Sequence, residues 1–492
     1  MAGVSKRSEP FFRLSPTEQL NASCFGVRQG EVLKRADFNF WRLTPFLKER
    51  FAHAIFTPVP FDEVVTKVQY GCSNLAKAEP PGVTILRMNN LQDDGWDLRD
   101  LKYIELSDNQ IDTYRLYSGD LIFNRTNSKE LVGKCEVFRE TGDWVFASYL
   151  IRVRTNDNQL DPQFASDFLS TYTGRLQIDR FSRQIIGMTN INAEEIREIL
   201  IPLPSLSKQH ELVGAMDKAR SQRRQKLAEA DTLLSSLDEF ILNALDISLP
   251  SPDSRKAYAI CLSQMLGERV DAYSNQPYFQ KLFTTIKSSQ HTVRNLGNIA
   301  AEPIFSGTTP LAKGDAYVDP PNGVRFVRSG EITKEGGVTP TSEVHIREEI
   351  HNEKMKRSQL QRGDLLIAIV GATIGAIGIY DFNEPANINQ AIAAVRISSN
   401  DVLVEYVCWY LRCSLGQGLL DYFKRPVARA NINLTEVGEI PIIIPSQEIQ
   451  KYIIAEVHSR REEARRLRSE AETGWQNAKR WFEEQLLGTA PL

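Results

Sequence analysis

A chain of 492 residues, 42% hydrophobic and 25% charged with no low-complexity tract, is too long for one core and divides into two to four domains of about 100 to 200 residues. Its net charge of −3 excludes a surface that is basic throughout, so any contact with a polyanion is local and offset by acid elsewhere. Six cysteines without a CxxC pair exclude a zinc ribbon and a disulfide framework, and read as buried thiols in a reducing cytoplasm.

The N-terminal MAGVSKRSEPFFRL has no apolar core of a signal peptide. Short β-branched and aromatic runs follow, VTILRM (83–88), DLIFN (120–124) and WVFASYLIRVR (144–154), and predict a mixed domain rich in strands. Within it NRTNSKELVGK (124–134) offers Arg125, Lys129 and Lys134 with Asn127 and Ser128 in a turn-like stretch, and RFSRQIIGMTN (180–190) adds Arg180 and Arg183. Arg and Lys can hold phosphates or the guanine edge, and Asn can pair with adenine.

The segment TNINAEEIREILIPLPSLSKQ (189–209) comes next. Asn192 and Glu195 have the spacing of a capping box, so a short helix starts there. ILIPLPS then forces an extended strap, because proline removes donors and keeps its predecessor out of the α region. Ser205 is placed to cap a following helix whose seam runs through Val213, Met216, Arg220, Arg223, Leu227, Ala230, Leu234, Leu237, Ile241 and Ala244 at spacings of 3 and 4. Such a helix of about 40 residues is about 60 Å long. ISLPSPDSRK (247–256) links it onward.

The order then repeats. GVRFVRS (323–329) matches GVTILRM, RGDLLI (362–367) matches SGDLIF (118–123), and ANINLTEVGEIPIIIPSQEIQ (430–450) matches the joint at ten of its 21 positions. Average residue usage would give about one match. LLIAIVGATIGAIGIY (365–380) reads as two buried strands around a Gly-rich turn, short of the roughly 20 apolar residues that span a bilayer. HNEKMKR supplies Lys354, Lys356 and Arg357, and FKRPVARAN supplies Lys424, Arg425 and Arg429 where the first copy has Arg180 and Arg183. Any single member of these clusters reads equally well as a solvated surface charge; their matched position is the stronger signal. Asn433 with Glu436, Ser446, and a seam from Ile454 through Val457, Arg461, Ala464, Arg468, Ala471, Trp475, Ala478 and Phe482 to Gln485 repeat the first joint and helix at an offset of 241.

The expected architecture is α+β: two mixed α/β domains (1–204 and 257–445), each followed by a long helix (205–246 and 446–488), with 247–256 as linker. The short linker sets the helices antiparallel, as a coiled coil with pseudo-two-fold symmetry. Two similar but unequal domains on a fixed spacer suit an asymmetric bipartite site on a duplex. Catalytic alternatives are poorly equipped. DPPN (319–322) has Asn322 where a base-stacking aromatic would stand, GATIGAIG (371–378) lacks the Lys-Ser/Thr of a P-loop, and PDSRK (252–256) lacks a second carboxylate for a metal. His210 and His458 stand alone on the long helices. A stand-alone DNA methyltransferase and a coiled-coil adaptor without sequence readout are the competing readings.

The duplicated order, the GDLL element before a Gly-rich stretch, the NIN step into ILIPLPS and IPIIIPS, and the Gln at the helix start resemble the specificity subunit of Type I restriction-modification systems over essentially the whole chain. The resemblance implies two target recognition domains, each reading one half of a bipartite DNA sequence, and helices that act as a ruler and dock two methyltransferase subunits. Restriction subunits (ATP-dependent translocase and nuclease) join the complex. It implies no cofactor or metal for this chain, with S-adenosylmethionine, ATP and Mg belonging to the partners, and a cytoplasmic setting without membrane contact. Gly133 and Lys134 keep a Gly-Lys pair of that family where the second copy reads Gly375 and Ala376, so a lysine contact does not carry over and the two loops need not superpose.

Overall fold

Asn192 and Asn433 start the two joints as their spacing requires. In the computed structural model the Asn192 side chain accepts from Glu195 N at 2.9 Å while Glu195 accepts from Asn192 N at 3.0 Å, and both bonds are 2.8 Å between Asn433 and Glu436. The structure describes residues 38–488 apart from 93–94, 129–130, 186–187, 252–257, 260–270, 311–314, 341–343 and 426–429. The PDSRK motif, Cys24 and Cys261 lie outside the described residues.

After each capped helix the proline strap is a strand. Leu200–Pro202 pairs antiparallel with Pro58–Pro60, and Pro441–Ile444 pairs antiparallel with Thr292–Asn295. The long helices follow, Leu206–Ala244 with 39 residues and Gln447–Leu487 with 41. One buried glutamine fixes each start. Gln209 donates to the carbonyls of Gln159 and Pro204 at 2.8 and 2.9 Å and accepts from Asp161 N at 2.8 Å. Gln450 repeats this with Asp401, Pro445 and Leu403 at 2.8, 2.9 and 2.9 Å. A fully buried amide with all its partners locks strap, helix and domain in one geometry.

The chain forms two compact units, Met1–Ala228 with Leu467–Leu492, and Glu229–Arg466. Each contains parts of both long helices. The first unit has an antiparallel four-stranded sheet in the order Val65–Tyr70, Leu150–Thr155, Leu121–Asn124, Cys135–Val137. Leu121 and Phe123 enter a large core with the helices, whereas Ile122 and Leu150 enter a second core on the other face. Burial on both faces explains why DLIFN reads as an unbroken apolar run. A smaller sheet places Val83–Leu86 parallel to Trp144–Phe146. The large core is completed by Trp475, Phe482, Leu486 and Leu487, all from the second long helix.

The second unit repeats the plan. Its sheet runs Phe305–Ser306, Ile392–Val395, Leu365–Ala368, Ile377–Ile379, with Leu365 and Ile367 in one core and Leu366 and Ala368 in another. Leu365–Ala368 and Ile377–Ile379 are the two buried strands expected around the Gly-rich turn. Val324–Val327 lies parallel to Ala386–Ile388. Here the first long helix completes the large core through Leu237 and Ile241, joined by Leu245 just past its end.

GD marks a turn in both units. Gly119 and Gly363 take left-handed φ values of +98° and +95°, which cost a glycine least. The following aspartates accept from Tyr117 N and Gln361 N and pair with a neighbouring-strand arginine, Arg154 for Asp120 and Arg396 for Asp364.

Along the expected seams Arg468 is exposed and Leu467 beside it is buried, and Leu212, Ile453 and Leu486 are more deeply buried than their seam neighbours Val213, Ile454 and Gln485. Two other seam arginines, Arg220 and Arg461, face inward. Arg220 pairs with buried Asp167 and lies 5.5 Å over Trp475, and Arg461 lies 5.0 Å over Trp409, whose ring Arg412 also stacks at 4.9 Å. Burial pushes the Asp167 carboxyl up to about 7 against the pull of Arg220, and lowers the Arg412 and Arg461 guanidinium values. Among the described residues no helix is long and apolar enough to cross a membrane.

Glu483 of the second long helix is 4% exposed, bonds Arg50 at 3.2 Å and accepts from Thr173 N at 3.4 Å and from the Thr173 hydroxyl. Substituting Glu483→Gln removes the buried carboxylate that pairs with Arg50 and accepts from Thr173, and the first unit is expected to lose about 3 kcal/mol. Equilibrium unfolding in urea measures this; a midpoint equal to that of the unaltered chain would show that the carboxylate carries no stability.

Candidate nucleic-acid interface

Two basic stretches of the first unit, distant in sequence, meet in one small sheet. Thr126–Asn127 pairs with Met188–Asn190, which pairs with Arg183–Ile185. Arg125, just before it, lies 4.9 Å over the ring of Tyr70, and Asn127 bonds Ser128 N at 2.8 Å. Tyr70 is 41% exposed, so an aromatic face stands beside a guanidinium at the surface. Lys134 ends the loop. Its carbonyl accepts from Asn124 N at 2.8 Å, and Gly133 donates back to Asn124 O at 2.8 Å with φ at +83°.

The Gly-rich loop of the second unit has the same frame. Ala368 N donates to Ala376 O at 2.9 Å, Gly375 N to Ala368 O at 3.2 Å, and Gly375 has φ at +89°. The segment after Lys424 closes on this loop, with Arg425 and Val370 both bridged to Asn431. The loops therefore share a hydrogen-bonding frame although their sequences gave no reason to superpose them. The two glycines match in packing too: a Cβ on Gly133 would meet Ile178 and Arg175, and one on Gly375 would meet Gln417.

The expected contact residues separate by environment. Lys354, Lys356 and Arg357 are exposed around buried Met355 on the five-stranded sheet side, and no described contact joins them to the 424–431 segment. Lys424 is half-buried and 3.6 Å from Asp421. Arg425 is engaged by Glu436 of the second capping box at 3.0 and 3.2 Å. Arg180 stacks on Phe40 at 4.2 Å and donates to Thr44 at 2.9 Å, which is a packing role. Lys129 and Arg429 lie outside the described residues, as does the side chain of Arg183. His210 and His458 lie 3.6 Å from Asp161 and Glu405 at the surface. Among the described residues no group of His, Cys, Asp or Glu could hold a metal ion.

Tyr70 was not legible as a site residue in the sequence, because the fold alone brings Arg125 onto its ring.

The Type I restriction modification DNA specificity domain matches the chain twice, over residues 62–229 and 291–459. The chain is 26% identical over 184 residues to the Type I restriction enzyme EcoKI specificity subunit of Escherichia coli strain K12, covering 37% of this chain and 38% of that one. It is 22% identical to the protein described as the type I restriction enzyme MjaX specificity subunit of Methanocaldococcus jannaschii, covering 80% of this chain and 83% of the relative. Its fold is similar, at a TM-score of 0.52 and 13% identity, to a chain in a structure of complex assembly and conformational transition in a type I R-M system, covering 87% and 96% of the two chains.

If Arg425 serves the capping box, Arg425→Ala should cost less than about 1 kcal/mol, because the pair is half exposed. The salt dependence of DNA binding should not change. A slope shallower by about 1 would move Arg425 onto a phosphate.

Proposed function

The chain belongs to the family of Type I restriction modification DNA specificity domains, and on that footing we propose that it reads an asymmetric bipartite site on double-stranded DNA for partner subunits that methylate adenine and restrict. The presence of two domain copies on one chain carries this reading. Their framework bonds repeat pair for pair, while their loops offer different side chains: Arg125, Asn127 and Lys134 in one, Gly371, Thr373 and Ala376 in the other. Equal mounts with unequal faces suit two different half-sites.

The two long helices pair as an antiparallel coiled coil with pseudo-two-fold symmetry and set the spacing of the half-sites. The order of contacts within each unit supports this. Arg223 meets Glu472 at 3.8 Å and Lys226 meets Glu470 at 2.7 Å in the first unit. In the second, Ser236 bonds Arg460 at 2.8 Å and Phe240 packs 5.5 Å from Tyr452. Two methyltransferase subunits dock on this frame and bring S-adenosylmethionine, and restriction subunits bring ATP and Mg. This chain supplies recognition alone. An adaptor without readout would have no use for two different loops on one frame.

The reading is tested with the chain co-purified with its methyltransferase and a library of random duplexes. A two-part asymmetric sequence should be selected, and adenine methylation should require this chain. Methylation by this chain alone, or a complex indifferent to sequence, would overturn it. Inserting seven residues in both long helices adds about 10 Å and should lengthen the accepted spacer by about three base pairs. Both half-site sequences should stay as they were, and a shift in either would refute the division between reader and ruler.

A further inference from the structure

We propose that Asn387 and His351 are positioning residues of the second unit's DNA reader: they fix the turn of residues 350–358 so that Lys354, Lys356 and Arg357 meet backbone phosphates of the duplex as one preorganised group. This rests on the DNA-reading function above. The three cations are exposed and flare around Met355, which is 3% exposed and packs with Val324, Phe326 and Ile346. Among the described residues none of the three makes an ion pair or a side-chain hydrogen bond. Glu348, Glu349 and Glu353 come before them, so the end of the segment is its positive part. Its backbone is irregular: Met355 N donates to Ile350 O at 2.8 Å, five residues back, in the wide pattern of a π-helical turn over Ile350–Lys354.

One buried amide holds this turn. Asn387, 0% exposed on the strand Ala386–Ile388, donates through Nδ2 to Met355 O at 2.8 Å and to the Ser358 hydroxyl at 3.1 Å. A carbonyl can only accept, so the amide cannot be turned round, and its Oδ1 faces His351 Nδ1 at 2.6 Å. His351 therefore carries a proton on Nδ1, and Gln359 donates to the His351 carbonyl at 3.0 Å. The first unit shows that the sheet does not need the amide. Val145 takes the place of Asn387, since it pairs with Ile85 as Asn387 pairs with Phe326, and it is equally buried. The matching stretch there is the helix Asp108–Tyr114, and counted from the paired Ile104 and Ile346, Asp112 stands where Lys354 does. Arg115 at its end is already held by Asp112 at 3.0 Å and by Asp143. A buried polar group costs stability unless its bonds are made. An amide kept only in the copy that carries three exposed cations points to their placement, and cations held in place lose less freedom on meeting a phosphate.

The test is a double-mutant cycle in the complex with the methyltransferase partner. Replacing Lys354, Lys356 and Arg357 together by Ala should make the plot of log affinity against log salt shallower by about 2 to 3, with the selected sequence unchanged. N387V, which installs the first unit's residue, should weaken DNA binding by about 3- to 10-fold when the three cations are present and by less than about twofold when they are absent. H351A should act as N387V does, whereas H351N, whose amide can still donate to Asn387 Oδ1, should restore binding; this pair keeps the test available if N387V does not fold. An unchanged slope in the folded triple variant overturns the proposal. Equal losses from N387V with and without the cations do so too, and would leave the amide a purely structural role. Loss of methyltransferase binding with DNA affinity intact would assign the cations to an acidic protein segment and equally overturn it. Failure of the function itself looks different, since the unaltered complex would then select no sequence.

Discussion

Glu483 and Asp238 carry the same interaction at two places. Glu483, on the second long helix, accepts from the backbone and hydroxyl of Thr173 at the start of the helix Tyr172–Phe181. Asp238, on the first long helix, accepts from the backbone at 2.5 Å and the hydroxyl at 2.7 Å of Ser414, which begins Ser414–Phe423. Each carboxylate meets the positive end of a domain helix that belongs to the other copy of the repeat, where a negative charge is favoured. The apolar contacts follow the same exchange: Phe482 and Leu486 close the core that includes Leu43 and Leu47, and Ile241 and Leu245 close the one around Tyr406 and Leu415. Neither repeat buries its own apolar surface with its own residues alone. The duplication is therefore a folding requirement before it is a functional convenience.

The joints gain meaning from that exchange. A long helix that must close a core belonging to the other repeat needs a fixed exit angle from its own. Three devices supply it at each joint: a reciprocal capping box, a strap paired as a strand, and a buried glutamine whose amide bonds both the strap and the domain. All are polar groups satisfied inside the protein, so a change of angle would break several hydrogen bonds together.

Much of this was legible in the sequence because burial and backbone geometry leave few choices. Asn192 to Glu195 is a spacing with a mechanism, and so is the run of 3 and 4 along the long helices. The roles of Gln209 and Gln450 were only half legible: their matched position was visible, but their partners Gln159 and Asp401 lie some 50 residues earlier in the chain. Arg180 and Arg425 could not be sorted from sequence for a related reason. A basic residue in a loop looks the same whether it awaits a phosphate or, like Arg180, lies against Phe40. The partner that decides between the two is brought by the fold, 140 residues away in that case. Charge in a sequence gives a candidate; only packing shows whether the charge is already used.

The comparison of copies then separates two kinds of residue. Where Asp120 and Asp364 cap a turn and hold Arg154 and Arg396, both copies keep the aspartate and the arginine, and the bond raises the guanidinium value in each. These charges are part of the scaffold, and losing either partner would strand the other at low exposure. Where the first copy has Lys134 and Arg175, the matching positions are Ala376 and Gln417. A charge held on one copy and absent from the other cannot be required by the shared frame. It has to be explained by something the two copies do not share, and on a chain with two readers that is what each reader meets.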